Sequence, residues 1–568
     1  MKNISRATNI LMLLLIIFFL PSLAFAGTYW VSPSGTATWA NAQSATPLSG
    51  ASCCSLGTAN SNASAGDTIY LRAGTYGIQI APGASGLSGN IITYQAHTGE
   101  YPVINNVGIG IDLDGRDYIK IDGIEVSNTT HSLVRMIRGA NYNEIVNCTL
   151  HDCLAAGNGG INIWTIGANA STKNTHNWIH NNTIYRAGHI DPTNCNDDSN
   201  LMKIGVGGSD FLSNNNTIED NVMYAGGHHV IQINSKNNIV RNNVFHNEGW
   251  MTPVPVVCTL CTDATGKYGN RNQAMDDGES NLIENNRYGH AGIPSDGNGA
   301  TGIGCGGRYN IIRYNFVFAN QGPGIYLRYG TDYDGDYTHV YNNTIYYNGH
   351  IGCNVDNLRK DEQDYGIAIH RIVDFVAIKN NLLYNNFNQA QEIYCINGSG
   401  APYNCGNKNL TFGGNWLTIA DGDPLFVDAD LSDPTSTTKP DLSLKSGSGA
   451  IDGGTYLTQA YGAGSNSTTL VVDDALYFQD GSWGSSNSAI DGDYISIGTV
   501  TNTVQISSIN YSTETITLAS AMTWSDNANI WLYKDSTGRI VLDGQAPDIG
   551  AYELVSGSPP TNLRLISP

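Results

Sequence analysis

Charged residues are scarce in this sequence. Asp, Glu, Lys and Arg make up 14% of the 568 residues, against about 25% in an average soluble protein. This excludes a charged coiled coil and a typical disordered chain, which combines high charge with low hydrophobicity. The charge that is present is mostly acidic, with a formal net charge of −21. A nucleic-acid partner is therefore not expected, because binding to phosphate requires basic stripes.

Long apolar runs are also missing, except at the amino terminus. There Lys2 and Arg6 precede an apolar stretch over 10–20, and an Ala-x-Ala pattern ends at Ala26. This order is typical of a secretory signal peptide, so we expect cleavage after Ala26 and a secreted protein, with the periplasm or the cell surface as alternatives. No other segment has the length of a transmembrane helix, so membrane insertion is not expected.

Cysteine spacing gives little support for a metal site. The chain has 11 cysteines, and Cys258 and Cys261 form a lone C-x-x-C without a second pair, so a structural zinc site is not expected. Cys395 and Cys405 are expected to form a local disulfide, as exported proteins often do. The motifs of serine esterases, HExxH metalloproteases and P-loop proteins are absent as well.

A repeated pattern determines the predicted fold. An aliphatic anchor is followed by Asn three residues later and by an apolar residue at position five, in eight copies between residues 143 and 385. The anchors are Ile145, Ile179, Ile218, Val240, Ile283, Ile312, Val340 and Ile378. Seven copies carry the Asn, and Cys148 replaces it in the first. The shortest spacing, 22 residues, equals one coil of a parallel β-helix, and longer spacings predict coils with inserted loops.

The segments between anchors read as short alternating strands without a helical period. Asn at a turn suits a left-handed backbone, and stacked Asn amides can hydrogen-bond from coil to coil. A β-propeller and a leucine-rich repeat do not fit this spacing and composition. A β-sandwich with chance Asn clusters is the alternative, which eight aligned copies disfavour. We predict an all-β fold, a single-stranded right-handed parallel β-helix.

Short motifs at both ends of the chain carry a family resemblance. They are TYWVSPSG at 28–35, AGDTIYLRAGTY at 65–76, DPLFVD at 423–428, GAIDGG at 449–454 and APDIGAYE at 546–553. Together they resemble secreted right-handed β-helix proteins of the pectate-lyase-like superfamily. The resemblance implies the fold and an extracellular polysaccharide as partner. It does not specify the activity, because that superfamily includes lyases, hydrolases, epimerases and non-catalytic surface proteins.

The predicted domain order follows from these motifs. After the signal peptide (1–26) come an amino-terminal cap with the first coils (27–100) and the parallel β-helix (101–454). Residues 455–542 are expected to be an inserted antiparallel β-module, because alternating strands and Asn, Gly and Ser turns replace the repeat. It is interpreted as a cap over the last coil or a carbohydrate-binding addition. Residues 543–553 are expected to return to the last coil, and 554–568 to form a flexible tail.

One exposed column of the β-helix is the candidate binding face. Distance to the anchors aligns Lys203 with Gln232 and, further along, with Tyr326. Strand alternation puts Ile233 inward, so that Gln232 and His228 face solvent. The same column is expected to include Asp276, Arg328 and His370.

The column fits β-elimination on a uronate-containing polymer. This reaction removes the proton next to a carboxylate, so it needs a base and a cation that neutralises the carboxylate. Lys203 is the predicted base, with His228 as the alternative, and Arg328 is predicted to hold the carboxylate. The predicted substrate-binding residues are Gln232, Tyr326 and His370. The competing interpretation is that these are ordinary solvated side chains.

Two acidic clusters are candidate Ca²⁺ sites, because calcium prefers several oxygen ligands. The first consists of Asp276, Asp277 and Glu279, and the second of Asp332, Asp334 and Asp336. The alternative is that these residues simply favour turns.

Two other functions stay open. Paired carboxylates also permit glycoside hydrolysis, with Asp276 or Asp277 acting together with Asp197 or Asp198. Adjacent residues of a strand point to opposite faces, which weakens this hypothesis. The third possibility is a non-catalytic carbohydrate-binding or structural surface protein. The leading hypothesis is a lyase-type reaction on an extracellular polysaccharide.

Overall fold

A computed structural model gives the structure of the chain. It describes residues 26–153, 159–164, 173–187, 200–205, 212–226, 229–246, 272–291, 301–328, 334–349, 365–396, 408–433 and 435–555. Three long parallel sheets dominate it, and each coil adds one strand to each sheet in turn. The predicted fold, a right-handed parallel β-helix with a small antiparallel module near the carboxyl terminus, is confirmed.

The three sheets of the β-helix are named A, B and C in the order in which each coil visits them. Sheet A consists of β1 (Thr28–Val31), β2 (Thr68–Leu71), β4 (Ile92–Ala96), β7 (Ile119–Asp122), β10 (Glu144–Val146), β13 (Trp178–His180), β16 (Thr217–Glu219), β19 (Ile239–Arg241), β22 (Leu282–Glu284), β25 (Ile311–Arg313), β28 (His339–Tyr341), β31 (Val376–Lys379) and β34 (Leu410–Gly413). Sheet B consists of β3 (Gly74–Tyr76), β5 (Pro102–Asn105), β8 (Glu125–Thr129), β11 (Thr149–Cys153), β14 (Thr183–Ala187), β17 (Val222–Gly226), β20 (Val244–His246), β23 (Arg287–Gly289), β26 (Phe316–Phe318), β29 (Thr344–Tyr346), β32 (Leu382–Tyr384) and β35 (Trp416–Leu417). Sheet C consists of β6 (Ile109–Asp112), β9 (Ser132–Ile137), β12 (Ile161–Trp164), β15 (Met202–Ile204), β18 (His229–Ile233), β21 (Asn272–Asp276), β24 (Ile303–Cys305), β27 (Ile325–Leu327), β30 (Ile367–His370) and β33 (Ile393–Ile396).

The remaining elements are short or belong to the carboxyl-terminal part. They are α1 (Leu56–Asn62), α2 (Thr418–Asp421), 3-10 turns at Ala40–Ala42, Gly50–Ser52 and Tyr511–Thr513, the antiparallel pair β36 (Phe426–Asp428) and β37 (Asp441–Leu444), and the module strands β38 (Thr458–Gln459), β39 (Gly464–Val471), β40 (Tyr494–Ile497), β41 (Thr503–Asn510), β42 (Thr515–Trp524) and β43 (Asn529–Lys534). Among the described residues, no helix has the length and apolar character needed to cross a membrane.

The eight anchors stack on one another, as the repeat predicts. Ile145 pairs with Ile179 in adjacent strands of sheet A, and the register continues without a break to Ile378. Their side chains form part of a continuous apolar core inside the β-helix. Burying each aliphatic side chain in such a stack stabilises the coil by about 1.5–3 kcal/mol.

The repeated Asn forms a hydrogen-bonded ladder at the turn from sheet A to sheet B. Each side-chain amide donates to the amide oxygen of the next coil: Asn182–Asn221 3.0 Å, Asn221–Asn243 3.0 Å, Asn243–Asn286 3.0 Å, Asn286–Asn315 3.1 Å, Asn315–Asn343 3.0 Å, Asn343–Asn381 2.9 Å and Asn381–Asn415 3.1 Å. In each coil the left-handed backbone conformation is adopted by the residue directly before the ladder Asn, for example Asn242 (φ 57°) and Tyr314 (φ 57°). The prediction that the repeated Asn itself adopts this conformation is therefore wrong.

The antiparallel module packs on the outer face of sheet A. Apolar side chains of the module share one core with Ile239, Leu282 and Ile311 of that sheet. Arg241 donates through Nη1 to the carbonyl oxygen of Ser536 at 2.8 Å. In the described residues the module therefore lies along the side of the β-helix, because its apolar face matches the outward column of sheet A. The interpretation as a cap over the last coil does not fit this position.

Residues 543–553 also lie on the side of the β-helix and contain no strand in the described structure. The amide of Gly550 donates to the carbonyl oxygen of Asn380 at 2.9 Å, and the amide of Ala551 donates to Thr344 Oγ1 at 2.9 Å. This segment thus covers the turn between sheets A and B. The sequence predicts instead that it returns to the last coil.

Candidate functional site

Sheet C is the remaining long face of the β-helix. In the described residues, the module packs on sheet A, and the segment with β36 and β37 shares a core with Phe316 and Phe318 of sheet B. The register of sheet C aligns one outward column in the order Asp112, Arg135, Asn162, Lys203 and Gln232 and, from two strands further on, Gly304, Tyr326, Ala368 and Tyr394. The predicted alignment of Lys203 with Gln232 and Tyr326 agrees with this register.

Lys203 is the middle residue of strand β15, between two buried neighbours. Met202 and Ile204 point into the core and are completely buried, so alternation directs Lys203 outward. Its side chain is half-buried, and burial lowers the pKa of its ammonium group below the ordinary 10.5. Within the described part of the chain it forms no hydrogen bond and no ion pair. A desolvated amine without a counter-ion is suited to act as a base.

Amide side chains flank Lys203 on both neighbouring strands. Asn162 donates through Nδ2 to Ser132 Oγ at 2.8 Å. Its Oδ1 is buried and has no hydrogen-bond partner among the described residues. On the other side, Gln232 Oε1 accepts a hydrogen bond of 2.7 Å from Asn200 Nδ2. These contacts fix two polar groups beside the Lys203 ammonium without neutralising it.

Arg135 is the cation nearest to Lys203 along the described column, two strands or about 10 Å away. It binds Asp112 with two parallel bonds, Nε–Oδ1 at 3.0 Å and Nη2–Oδ2 at 2.7 Å. This pair was not identified from the sequence. The signal for it was the alternation of SLVRMI, which places Arg135 outward between buried Val134 and Met136.

Arg328 does not meet Lys203. It follows strand β27, which lies four strands from β15 in sheet C, a separation of about 19 Å. In these two strands the residues aligned with Lys203 are Tyr326 and Ala368. Arg328 and His370 each come two residues later in the chain. The predicted common column of Lys203, Arg328 and His370 is therefore wrong in register.

His370 is buried, with 4% of its surface exposed. Burial is the main reason why the pKa of its imidazole is lowered, and the charges of Arg371 and Arg328 lower it further. The structure thus places His370 near Arg328, at the end of sheet C that carries Tyr326. These residues form a group separate from Lys203.

Asp276 points into the β-helix, which corrects its predicted place on the exposed column. The register pairs it with Ile233 and Cys305, which are both inward. Its Oδ1 accepts hydrogen bonds from the Gly278 amide (2.9 Å) and Asn281 Nδ2 (3.0 Å), and its Oδ2 has no partner in the described part of the chain. Complete burial raises the pKa of this carboxyl to about 7. A one-residue shift in register explains the error, since it exchanges the two faces of a strand.

The first acidic cluster does not form a metal site in the described structure, and the second is only partly described because Asp332 lies outside the described residues. No group of three or more His, Cys, Asp or Glu side chains there is arranged to hold a metal ion. Glu279 binds Arg308 at 3.2 Å, and Asp336 Oδ1 accepts a 2.6 Å hydrogen bond from the Asp374 amide. The positions of Asp277 and Asp334 are described, and no metal cluster includes them.

Several predicted residues lie outside the described residues. They are His228, Asp197, Asp198, Asp332, Cys258, Cys261 and Cys405. Cys395 is disulfide-bonded, and its pairing with Cys405 stays a prediction.

One family model matches the amino-terminal part of the chain, and its description agrees with the fold. The family described as Pel9A-like, right-handed β-helix region matches residues 29–207. Three similar solved structures are pectate lyase Pel9A (16% identity, 76% of this chain and 92% of that chain, TM-score 0.43), a GH136 lacto-N-biosidase from Eubacterium ramulus (13%, 69% and 68%, TM-score 0.47) and a rhamnogalacturonan lyase (17%, 74% and 95%, TM-score 0.42). A search among curated proteins found no match.

Proposed function

We propose that the protein is an exported enzyme that cleaves a uronate-containing polysaccharide by β-elimination on the outer face of sheet C. The observation that carries this proposal is Lys203, a half-buried lysine with a lowered pKa and no counter-ion in the described structure. The family match over residues 29–207 supports a carbohydrate-acting β-helix. We also infer that the motifs between 423 and 553 belong to the same superfamily.

In the proposed reaction, Lys203 acts as the base. Its neutral amine removes the proton on the carbon next to the uronate carboxylate, the glycosidic oxygen leaves, and a double bond forms in the product. Gln232 lies on the adjacent strand and is half-buried, so its amide can bind a sugar hydroxyl group. Asn162, on the other side, is completely buried and supports the strand from below the surface. The long sheet lets an extended polymer lie across successive strands.

The substrate carboxylate must be neutralised for its neighbouring proton to become acidic. Among the described outward residues of the column, Arg135 is the cation nearest to Lys203, two strands away, and it already binds Asp112. The acidic residues considered for calcium do not form a metal group in the described structure, so no step is assigned to calcium. A calcium requirement is therefore an expectation that the assay has to test.

The hydrolase alternative loses one of its two candidates on strand β21 and the turn after it. Asp276 is completely buried and faces the core, so it cannot reach a glycosidic bond on the surface. A non-catalytic carbohydrate-binding protein remains the competing function.

The test is an assay on the protein without residues 1–26. It is incubated with pectate, alginate and glycosaminoglycans, with calcium or with a chelator. Ultraviolet absorbance measures the unsaturated product, and a reducing-end assay measures all chain cleavage. The proposal predicts that, on one acidic polymer, the absorbance of the unsaturated product increases in proportion to the number of new reducing ends. Reducing ends without absorbance would identify a hydrolase, and binding without cleavage would identify a carbohydrate-binding protein. Either result would contradict the proposal.

A further inference from the structure

A second cleft lies on the side of the β-helix where sheet B meets the carboxyl-terminal segments. Its volume is about 720 Å³, which is the size range of sites for small molecules. The residues that determine its chemistry are Asn285, Arg287, Phe316, Asp441, Arg539 and Tyr552. None of them belongs to sheet C, so this cleft is separate from the proposed active site.

Arg287 is a buried guanidinium without an ion pair in the described structure. It is 5% exposed, and its Nη2 donates to the carbonyl oxygen of Pro440 at 2.8 Å. Its Nε has no hydrogen-bond partner among the described residues. The guanidinium carbon lies 5.7 Å from the ring centre of Phe316 and 5.1 Å from that of Phe318. Burial lowers the pKa of this group to about 10, which means that its positive charge is incompletely compensated.

Two further polar atoms of the cleft lining lack partners. Arg539 binds Asp535 through Nε at 3.0 Å, and its Nη2 is buried without a hydrogen bond in the described structure. Asn285 donates through Nδ2 to Asp535 Oδ2 at 2.9 Å, and its Oδ1 is unpaired. The cleft thus combines two unsatisfied N–H donors with one unsatisfied acceptor. Such groups are rare inside native proteins, because each one costs about 1–3 kcal/mol unless a partner binds it.

Three acidic residues line the cleft: burial raises the pKa of the Asp220 carboxyl, and the other two, Asp441 and Glu553, have hydrogen-bond partners. Asp441 Oδ1 accepts a hydrogen bond from the Ser443 amide at 3.1 Å. Glu553 accepts from the amides of Asp543 (2.5 Å) and Asp548 (2.8 Å), and burial raises the pKa of its carboxyl to about 8. The unused hydrogen-bonding capacity of the cleft belongs to the arginines and to Asn285.

We propose that this cleft is a second binding site, which takes a small ligand that carries both a carboxylate and hydroxyl groups, as acidic mono- and disaccharides do. The carboxylate accepts hydrogen bonds from Arg287 and Arg539, and a hydroxyl group donates to Asn285 Oδ1. Tyr552, which is half-buried, provides ring surface of the kind that packs against sugar rings. The site does not involve Lys203, so it binds its ligand whether or not the sheet C face is catalytic.

The experiment measures binding of D-glucuronate by calorimetry, with D-glucose as the matched neutral sugar. We expect glucuronate to bind with a Kd of about 1 mM or tighter and glucose to bind at least tenfold more weakly. Arg287→Gln should weaken glucuronate binding at least about tenfold, because it removes a charged donor. Asp441→Asn retains an oxygen that accepts from Ser443 and removes a negative charge, so it should tighten glucuronate binding by about threefold.

Lys203→Ala is the control, because Lys203 lies on the sheet C face and not in the cleft. It should leave glucuronate binding in the cleft unchanged. Circular dichroism checks that each variant is folded. If Arg287→Gln unfolds the protein, the proposal is tested by Asp441→Asn alone, which should tighten glucuronate binding; unchanged or weaker binding would then overturn the proposal. Equal binding of glucuronate and glucose, no binding of glucuronate, an unchanged Kd in folded Arg287→Gln, or loss of binding in Lys203→Ala would each overturn the proposal.

Discussion

Arg313 and Asp493 join the β-helix to the antiparallel module through a completely buried, two-bonded ion pair. The Nη1–Oδ2 distance is 2.7 Å and the Nη2–Oδ1 distance is 2.8 Å. Arg313 also binds Glu284 Oε2 through Nε at 2.7 Å. The module is therefore held on sheet A by charged hydrogen bonds as well as by apolar contacts.

Breaking this pair from one side should destabilise the protein strongly. Asp493→Asn removes the carboxylate and leaves Arg313 with too little negative charge around it, so the free energy of unfolding should fall by about 3–5 kcal/mol. Urea unfolding followed by tryptophan fluorescence measures the change. Asp428→Asn, which breaks the exposed pair with Lys439, is the control and should leave the unfolding midpoint unchanged. Equal effects of the two substitutions would contradict the buried coupling.

The Asn ladder makes a second prediction. Asn286 donates through Nδ2 to the Val240 carbonyl at 2.9 Å, and its Oδ1 accepts from the Asn243 amide at 2.9 Å. Asn286→Ala leaves both backbone groups buried and unpaired, so the free energy of unfolding should fall by about 2–4 kcal/mol. Asn41→Ala, at an exposed position, is the control. A loss at Asn286 no larger than at Asn41 would show that the ladder contributes little to stability.

The buried carboxyl of Asp276 should make stability depend on pH. Its pKa is about 7 in the folded protein, against an ordinary 3.8. Between these values the folded protein holds the proton and the unfolded chain has lost it, so the contribution of this group to stability falls as pH rises and is constant above about 7. Asp276→Asn mimics the protonated form. It should match the wild type near about pH 4 and be more stable by roughly 2–4 kcal/mol near about pH 8.

Urea unfolding of both proteins across this pH range checks the prediction. An Asp276→Asn variant with the same pH dependence as the wild type would mean that Asp276 does not hold a proton in the folded state.

The repeat made most of the fold predictable, and the limits of the site prediction have a physical cause. The anchors and Asn residues lie within one rigid turn, so their spacing is constant and their stacking can be read from the sequence. Sheet C is separated from the next anchor by loops of variable length: Gln232 precedes Val240 by 8 residues, whereas Ala368, in the same column, precedes Ile378 by 10. Counting 8 residues back from Ile378 reaches His370 instead. An alignment counted from the anchors therefore loses register there.

Buried charge pairs between segments that are distant in the sequence could not be predicted, for a different reason. Arg313 and Asp493 are 180 residues apart in the sequence, and neither belongs to a local motif that indicates a partner. Arg287 and Arg539 are separated in the same way, so the second cleft has no sequence signal. Asp276 reads as an ordinary turn-favouring residue, and only the structure shows that it faces the core.

The proposed reaction should show a pH dependence that follows Lys203. Its amine is the active form, and burial lowers its pKa from 10.5, so the fraction of active enzyme should increase as pH rises toward that lowered pKa. The pH profile of kcat/KM on the best polymer, measured by product absorbance, checks this. A rate that falls steadily with rising alkalinity in a folded enzyme would exclude a lysine base.

The most direct test of the central claim compares two lysine variants on the polymer that gives unsaturated product. Lys120 lies on sheet A and binds Glu144 at 2.9 Å, so Lys120→Ala removes the same type of side chain away from the proposed site. The account predicts that Lys203→Ala lowers kcat at least about hundredfold with unchanged circular dichroism, whereas Lys120→Ala retains activity. A folded Lys203→Ala protein that forms unsaturated product at the wild-type rate would contradict the account.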